Sequence, residues 1–485
     1  MHILKNGQSM LSAEIPERPF EEFRATLVGA TQHGSRIVSL TAGPLSDGGA
    51  TLTVVVADDI NGTLHVLKTQ VDDSYPSLTP MLPSVHLFER EIRENLGLTP
   101  IGHPWLKSVR SHEDPDEHPF FTMAGKDVHE VAVGPVHAGV IEPGHFRFQC
   151  TGEVVQHLEV QLGYQHRGVE VELAGGPHRR TMSQIETVAG DTTIGHAIAY
   201  CEVLEALSGA VVPERAQALR ALALELERLA NHVGDIGAIA NDIGYLPTAA
   251  FCGRLRGDLL NITTTLTGSR MGRSFVRPGG VTLDVDAAMV KALQATLEAA
   301  RAECADATSL LFASRSSVAR MTGTGIVTED ESRELGVVGV AARASGVAID
   351  VRTHHPTGWY ASAGLPPATQ SDGDVLARVN VRQSEIDQSF EAVKNILESL
   401  PDGSIRVESS GLKSDSFAVS MVEGWRGEIV HVASTDSDGR FATYKIIDPS
   451  FHNWAGLMTA MRGEGISDFP LCNKSFNLSY CGFDL

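Results

Sequence analysis

The stretch from Val212 to Val233, VPERAQALRALALELERLANHV, limits the fold more than any other part of the chain. Pro213 stands where a helix begins, a position at which its missing N–H does no harm. Leu and Ala then occupy most of the circumference. A helix that is apolar nearly all round has no face for water, so it belongs inside a bundle. Further long helical patterns run over Gly195–Leu207, Cys252–Thr267 and Asp284–Ala313, with a shorter amphipathic one over Ser384–Leu400. Helical spacing begins at about Met182.

The remainder reads differently. Thr51–Ala57 is a β-branched strand with turn residues beside it, and His86–Leu96 has helical spacing. Gly102–Phe120 is rich in His, Pro, Asp and Glu and reads as a linker or extended crossing. Alternation resumes near Val128, and GHFRFQCTGEVVQHLEVQLGY carries a Thr-Gly turn inside a hairpin or meander. Between Ser404 and Ile446 four segments are strand-like: IRVESS, SFAVSMV, GEIVHVAS and FATYKII. No fixed-period repeat or low-complexity tract is present. The expected fold class is α+β, with an α/β domain over 1–120 followed by a large mainly helical domain over 121–485 trimmed with strands. The last residues, DFPLCNKSFNLSYCGFDL, are apolar and patterned, and are expected to insert into the core.

Composition removes several classes of function. The chain of 485 residues has 39 Lys plus Arg against 60 Asp plus Glu, a formal charge of −21, which argues against nucleic acid. No apolar run reaches the ~20 residues of a bilayer span, and no signal pattern opens the chain. Membrane contact would come through partners. The six cysteines form no CxxC pair, so local Fe–S or Cys-rich zinc ligation is not expected, and each reads as a small buried hydrophobe.

Four constellations could carry chemistry. Glu142 in Glu142-Pro143-Gly144-His145 is either a held carboxylate able to relay protons or part of a solvated turn. His166-Arg167 could orient an anionic or Fe–S-bearing partner, or form a loop ion pair. In Glu186–His196, Asp191 or Thr192 could cap the following helix, and no nucleophile–base pair has local support. His232 and Asp242, at the end of the apolar helix, are either paired or functional.

Taken together, these motifs resemble a known family. VHLFEREIRENLGLTPIGHPWLK is similar to the C-type subunit of complex I. GPVHAGVIEPGHFRF, GYQHRGVE, the long apolar helix and TGSRMGRSFVRPGG are similar to the D-type subunit and to the large subunit of group 4 membrane-bound [NiFe] hydrogenases of the formate hydrogenlyase and hydrogenase-4 type, which fuse both parts. The resemblance covers most of the chain.

That resemblance implies two CxxC pairs holding nickel and iron. The matching positions here are Ala189 and Thr192, then Ser479 and Gly482, with Cys481 out of register by one. Soft thiolates fix such a metal pair and hydroxyls do not replace them, so no nickel is expected. Complex I, the other template, implies a quinone head group between a Tyr and a His beside an Asp. Asp242 falls on the Asp, and His145 (less readily His137) on the His. The Tyr falls at or beside Gly190, and no Tyr lies between Gln165 and Ala199. Gly272 stands where the family has a His near its terminal cluster. Proton donors to a quinone would then be Asp191, His196, Glu142 or His145.

By the same resemblance Glu142 would begin a proton path, and Arg167, with His166 beside it, would face the cluster of a small Fe–S subunit like the B-type one of complex I. Membrane proteins like the H-type and antiporter-type subunits complete the expected partners, on the cytoplasmic side of the membrane. The expected function is a nickel-free oxidoreductase subunit passing electrons to a quinone or another acceptor. A scaffold that kept the fold and lost the chemistry is the alternative, and an active [NiFe] hydrogenase is disfavoured by the ligands.

Overall fold

A computed structural model describes residues 1–45, 48–112, 119–137 and 141–485. Their helices and strands form the α+β architecture expected. Five long helices, Thr193–Ser208, Glu214–Asp242, Leu246–Thr267, Ala287–Ala313 and Val375–Glu398, make the bundle. Glu214–Asp242 is its axis: Leu246–Thr267 and Val375–Glu398 both pack along it, and 22 of its 29 residues are buried. Burial on all sides carries ionisable side chains inside too, and these must find partners.

Three antiparallel sheets of three or four strands accompany the bundle among the described residues. The first has the spatial order His2–Leu4, Thr63–Val71, Ala50–Asp58, Arg36–Pro44. The second is the meander Val128–Val133, His145–Thr151, Val154–Gln161, and its turn is the expected Thr151-Gly152. The third runs Phe441–Ile447, Glu428–Thr435, Ser416–Glu423, Ser9–Leu11. Its last strand comes from the N-terminus: Met10 lies opposite Phe417, so the first residues of the chain close the edge of the third sheet. One apolar cluster contains both Val54 and Phe88 of the N-terminal half and Phe451 and Trp454 of the C-terminal half.

Several expectations need correction. The helix expected from Ser384 starts at Val375, because Asp374 caps it by accepting the Ala377 N–H at 2.7 Å. The helix expected from Asp284 starts at Ala287, capped by Asp286. IRVESS is no strand; it contributes one isolated bridge between Arg406 and Gly280. Residues 113–118 of the expected crossing lie outside the described residues. The C-terminal segment does insert: Asp484 and Leu485 are buried. Five of the six cysteines are buried, and Cys481 is half-buried.

Candidate functional site

The loop 186–192 and the segment 477–482 are far apart in sequence and meet at one place. Arg426, on the turn between two strands of the third sheet, joins them. Its Nη1 and Nη2 donate to Asp191 Oδ1 and Oδ2 at 2.6 and 2.8 Å, and its Nε donates to the Asn477 carbonyl at 2.5 Å. The guanidinium lies over the Trp425 ring, 3.9 Å from the centroid. Burial alone would raise the Asp191 carboxyl, but the Arg426 charge outweighs it and holds Asp191 below the usual range.

Asp191 and Thr192 were the expected caps of the helix Thr193–Ser208, and neither caps it. Thr192 is at the N-cap position without a capping bond. Its hydroxyl instead donates to Asp191 Oδ1 at 3.2 Å and accepts from Trp425 Nε1 at 3.1 Å and Arg426 Nη1 at 3.2 Å. The cap comes from another helix. Glu227 accepts the Ile194 and Gly195 N–H groups at 2.8 and 3.2 Å, and burial pushes its carboxyl up to about 8.

The other side of the site is built on Asp448. Its Oδ1 caps the helix Pro449–Ala460 by accepting from the Ser450 N–H at 2.8 Å. Its Oδ2 lies 3.1 Å from His196 Nε2. His196 Nδ1 is 3.1 Å from His431 Nε2, and His431 Nδ1 is 2.8 Å from the Tyr444 hydroxyl. All four side chains are buried. Burial drives the His431 imidazole well below its ordinary range and so keeps it neutral. The proton pattern then follows. An anionic Asp448 accepts from His196 Nε2–H, His196 Nδ1 accepts from His431 Nε2–H, and His431 Nδ1 accepts from the tyrosine. A hydrogen-bonded line thus runs from the site to Tyr444.

Could this place hold a nickel–iron pair? Ala189 and Gly482 carry no donor atom. The Thr192 hydroxyl has its donor and both acceptor positions engaged, and Ser479 Oγ accepts the Gly482 N–H at 2.9 Å. A Cβ at Gly482 would lie 2.7 Å from Asp448 Cγ. A cysteine there would collide with a carboxylate already fixed by His196 and Ser450. The donor set therefore does not fit this metal pair. Among the described residues, no group of three or more His, Cys, Asp or Glu is placed to hold a metal ion.

The remaining candidates separate. Glu142 is exposed and accepts from Gln165 Nε2 at 3.0 Å; it also lies beside the Cys481 thiol. His145 Nδ1 donates to the Gly134 carbonyl at 3.1 Å, while its buried Nε2 has no partner. A Cβ at the neighbouring Gly144 would touch the Tyr480 ring, so a tyrosine from the C-terminal segment approaches the His145 end of the site. His166 Nδ1 donates to the Asp484 carbonyl at 2.6 Å, which clamps the C-terminal helix. Arg167 forms no ion pair among the described residues. Its exposed guanidinium donates to the carbonyls of Thr187 and Val188 at 2.9 and 3.2 Å, beside the loop carrying Ala189.

His232 and Asp242 are not brought together. His232 Nε2 is 2.8 Å from Glu385 Oε2 inside the bundle. Asp242 is exposed, and its electrostatic neighbours are Lys474 and Asn241.

Two family models match the chain: the 30 kDa subunit of respiratory-chain NADH dehydrogenase over residues 37–124, and its 49 kDa subunit over residues 242–416. Formate hydrogenlyase subunit 5 of Escherichia coli K12 is 29% identical over 444 residues, covering 85% of this chain and 78% of that protein. Hydrogenase-4 component G of the same organism is also 29% identical over 444 residues, covering 86% and 77%. The chain is thus similar along most of its length to the fused complex I and group 4 hydrogenase large-subunit family. The carbon monoxide-induced hydrogenase of Rhodospirillum rubrum is a further relative, 29% identical over 348 residues, covering 72% of this chain and 96% of that protein. Within this family, the two stretches that match the metal-binding motifs are the two that Arg426 ties together here.

Arg426, Glu227, Asp448, His431 and Tyr444 escaped the sequence reading. Asp448-Pro449-Ser450 has the form of a helix start, which by itself speaks only of a cap. Arg426 sits in Glu423-Gly-Trp-Arg-Gly-Glu428 between two apolar strands, and charges so placed must be paired across the fold. That is the signal that could have found it.

Proposed function

We propose that this chain is a nickel-free large subunit of a membrane-associated, hydrogenase-4-like or complex I-like oxidoreductase. It docks on a small Fe–S subunit through the surface that carries Arg167. In this reading the region that binds a metal pair in hydrogenases serves proton handling through Asp191, Asp448, His196 and His431. The observation that carries the reading is the close fit of Gly482 against Asp448, which leaves no room for a thiolate. No helix among the described residues is long and apolar enough to cross a membrane, so membrane contact is assigned to partner subunits of the H and antiporter types.

Electron delivery to a quinone belongs to the same proposal. The unpartnered His145 Nε2 supports it: with Nδ1–H given to the Gly134 carbonyl, Nε2 of the neutral ring is an acceptor suited to the O–H of a quinol, and the Tyr480 phenol next to Gly144 can donate to a quinone oxygen. Burial holds the Tyr480 hydroxyl up at about 12, so it is protonated and able to donate. The test is turnover of the intact assembly. Quinone-linked oxidation is expected, with at least a tenfold loss in His145→Ala and Tyr480→Phe. Unchanged turnover in both variants would remove the quinone.

A specific observation also favours the scaffold reading. The bidentate Arg426–Asp191 pair fills the space between the two motif stretches with protein side chains. An assembly that retains full quinone-linked activity when Asp191, His145 and Tyr480 are all replaced would make this chain a scaffold.

A further inference from the structure

A cavity of about 410 Å³ lies behind the C-terminal segment, and Trp454 in its wall packs against the Tyr480 ring with 5.0 Å between centroids. It opens between the helix His86–Leu96, the strand Val154–Gln161 and the helix Pro449–Ala460. Leu87, Val109, Leu162, Leu335, Met458 and Phe483 give it an apolar wall. Trp105 and Phe121, also lining it, are 38% and 41% exposed and mark its opening to solvent.

Two donors line this cavity without a carboxylate partner, and one of them has no acceptor at all. Trp454 lines the wall and is 2% exposed, yet its Nε1 has no hydrogen-bond partner. A buried indole N–H ordinarily finds one. Arg90 donates only to backbone, to the carbonyls of Lys107 and Ser108, and so meets no carboxylate directly.

The nearby carboxylates are committed elsewhere. Glu94 accepts the N–H groups of Val109, Arg110 and Ser111. Glu159 takes Lys107 Nζ and the Phe121 N–H, both at 2.8 Å. Burial lowers Arg90 to about 10, so it is still a cation at neutral pH, and burial drives His86 down to about 3, so it is uncharged. The cavity therefore has greasy walls, the Arg90 charge beside the Lys107–Glu159 pair, and the unpartnered Trp454 N–H buried in its wall.

We infer that this cavity binds an amphipathic carboxylate, with its apolar chain along the wall and its head group near Arg90 and Trp454. The volume is at the small end of the ~300–1,000 Å³ typical of ligand sites, which suits a medium-chain acid and excludes a whole phospholipid. The inference does not depend on the chemistry of the other site.

Calorimetric titration of the full chain with decanoate, below its micellar concentration, tests it, with decanol as the uncharged control. Saturable binding at one site per chain is expected, with decanol at least tenfold weaker. Trp454→Phe, which keeps the wall and removes the donor, should weaken decanoate severalfold. Met458→Trp, which fills the half-buried side of the cavity, should abolish binding and leave the circular dichroism spectrum unchanged. Absence of saturable decanoate binding would overturn the inference. So would equal affinity for decanol, or full affinity in Met458→Trp.

Discussion

At Gly482 a single missing side chain decides what the neighbouring carboxylate can do. Asp448 uses one oxygen on Ser450 and the other on His196, and the space a Cβ would need is already taken. Gly482→Cys should therefore destabilise by about 1–3 kcal/mol through overpacking, read as a lower unfolding midpoint in denaturant. A midpoint equal to that of the parent would mean that Asp448 moves freely. Glu227 gives a pH-dependent case. Its pKa in the folded chain, about 8, is above the ordinary 4.5. The folded state thus binds more protons than the unfolded state between those values, and stability falls as pH rises through that window, by at most ~1.4 kcal/mol per pH unit. Glu227→Gln should flatten that fall, as thermal melts at pH 5 and pH 8 would reveal. Gly482 is visible in the sequence as a motif position, but Asp448 and Glu227 are not, because their partners His196, Ile194 and Gly195 are distant along the chain.

The central helix Glu214–Asp242 shows the same point for an element. Its position inside the bundle was readable from Leu and Ala on every side. The fate of its charges was not, since apart from the Glu225–Arg228 pair within the helix the partners sit on other elements. Arg220 pairs with Glu205, Asp235 with Arg382 and His232 with Glu385. Glu385 also accepts from Arg343 Nε and Nη2 at 3.1 and 2.7 Å. Burial opposes ionisation of Glu385, but Arg343 and His232 more than compensate and hold it well below the ordinary carboxylate range. Glu385→Ala would leave Arg343 and His232 without this carboxylate. We expect a loss of about 3–5 kcal/mol, measured by chemical denaturation, with Glu385→Gln intermediate. A loss under about 1 kcal/mol, the scale of an exposed pair, would show that the bundle does not need this carboxylate. The helix Val375–Glu398 begins well before its amphipathic stretch suggests, because Arg378 and Arg382 are buried in its first turns and blur the apolar–polar pattern.

For the whole molecule, the N-terminal half and the third sheet are bound together by the strand Ser9–Leu11. Without it, the edge of Ser416–Glu423 would be open along Ser416, Phe417 and Ala418. An open apolar edge recruits other chains. Removal of residues 1–11 should increase light scattering on mild heating, and an unchanged aggregation onset would argue that the edge is covered otherwise. The α+β architecture could be read from periodicity, and the family from its motifs. This closure could not, since pairing between strands at opposite ends of the chain leaves no local trace.

In the proposed reading, the four motif positions Ala189, Thr192, Ser479 and Gly482 leave a nickel–iron pair without ligands. Nickel quantification in the native assembly, purified without chelators, tests this most directly. Nickel far below one atom per chain, with no hydrogen evolution, is the predicted result. One nickel per chain, lost in Ser479→Ala together with hydrogen evolution, would contradict it.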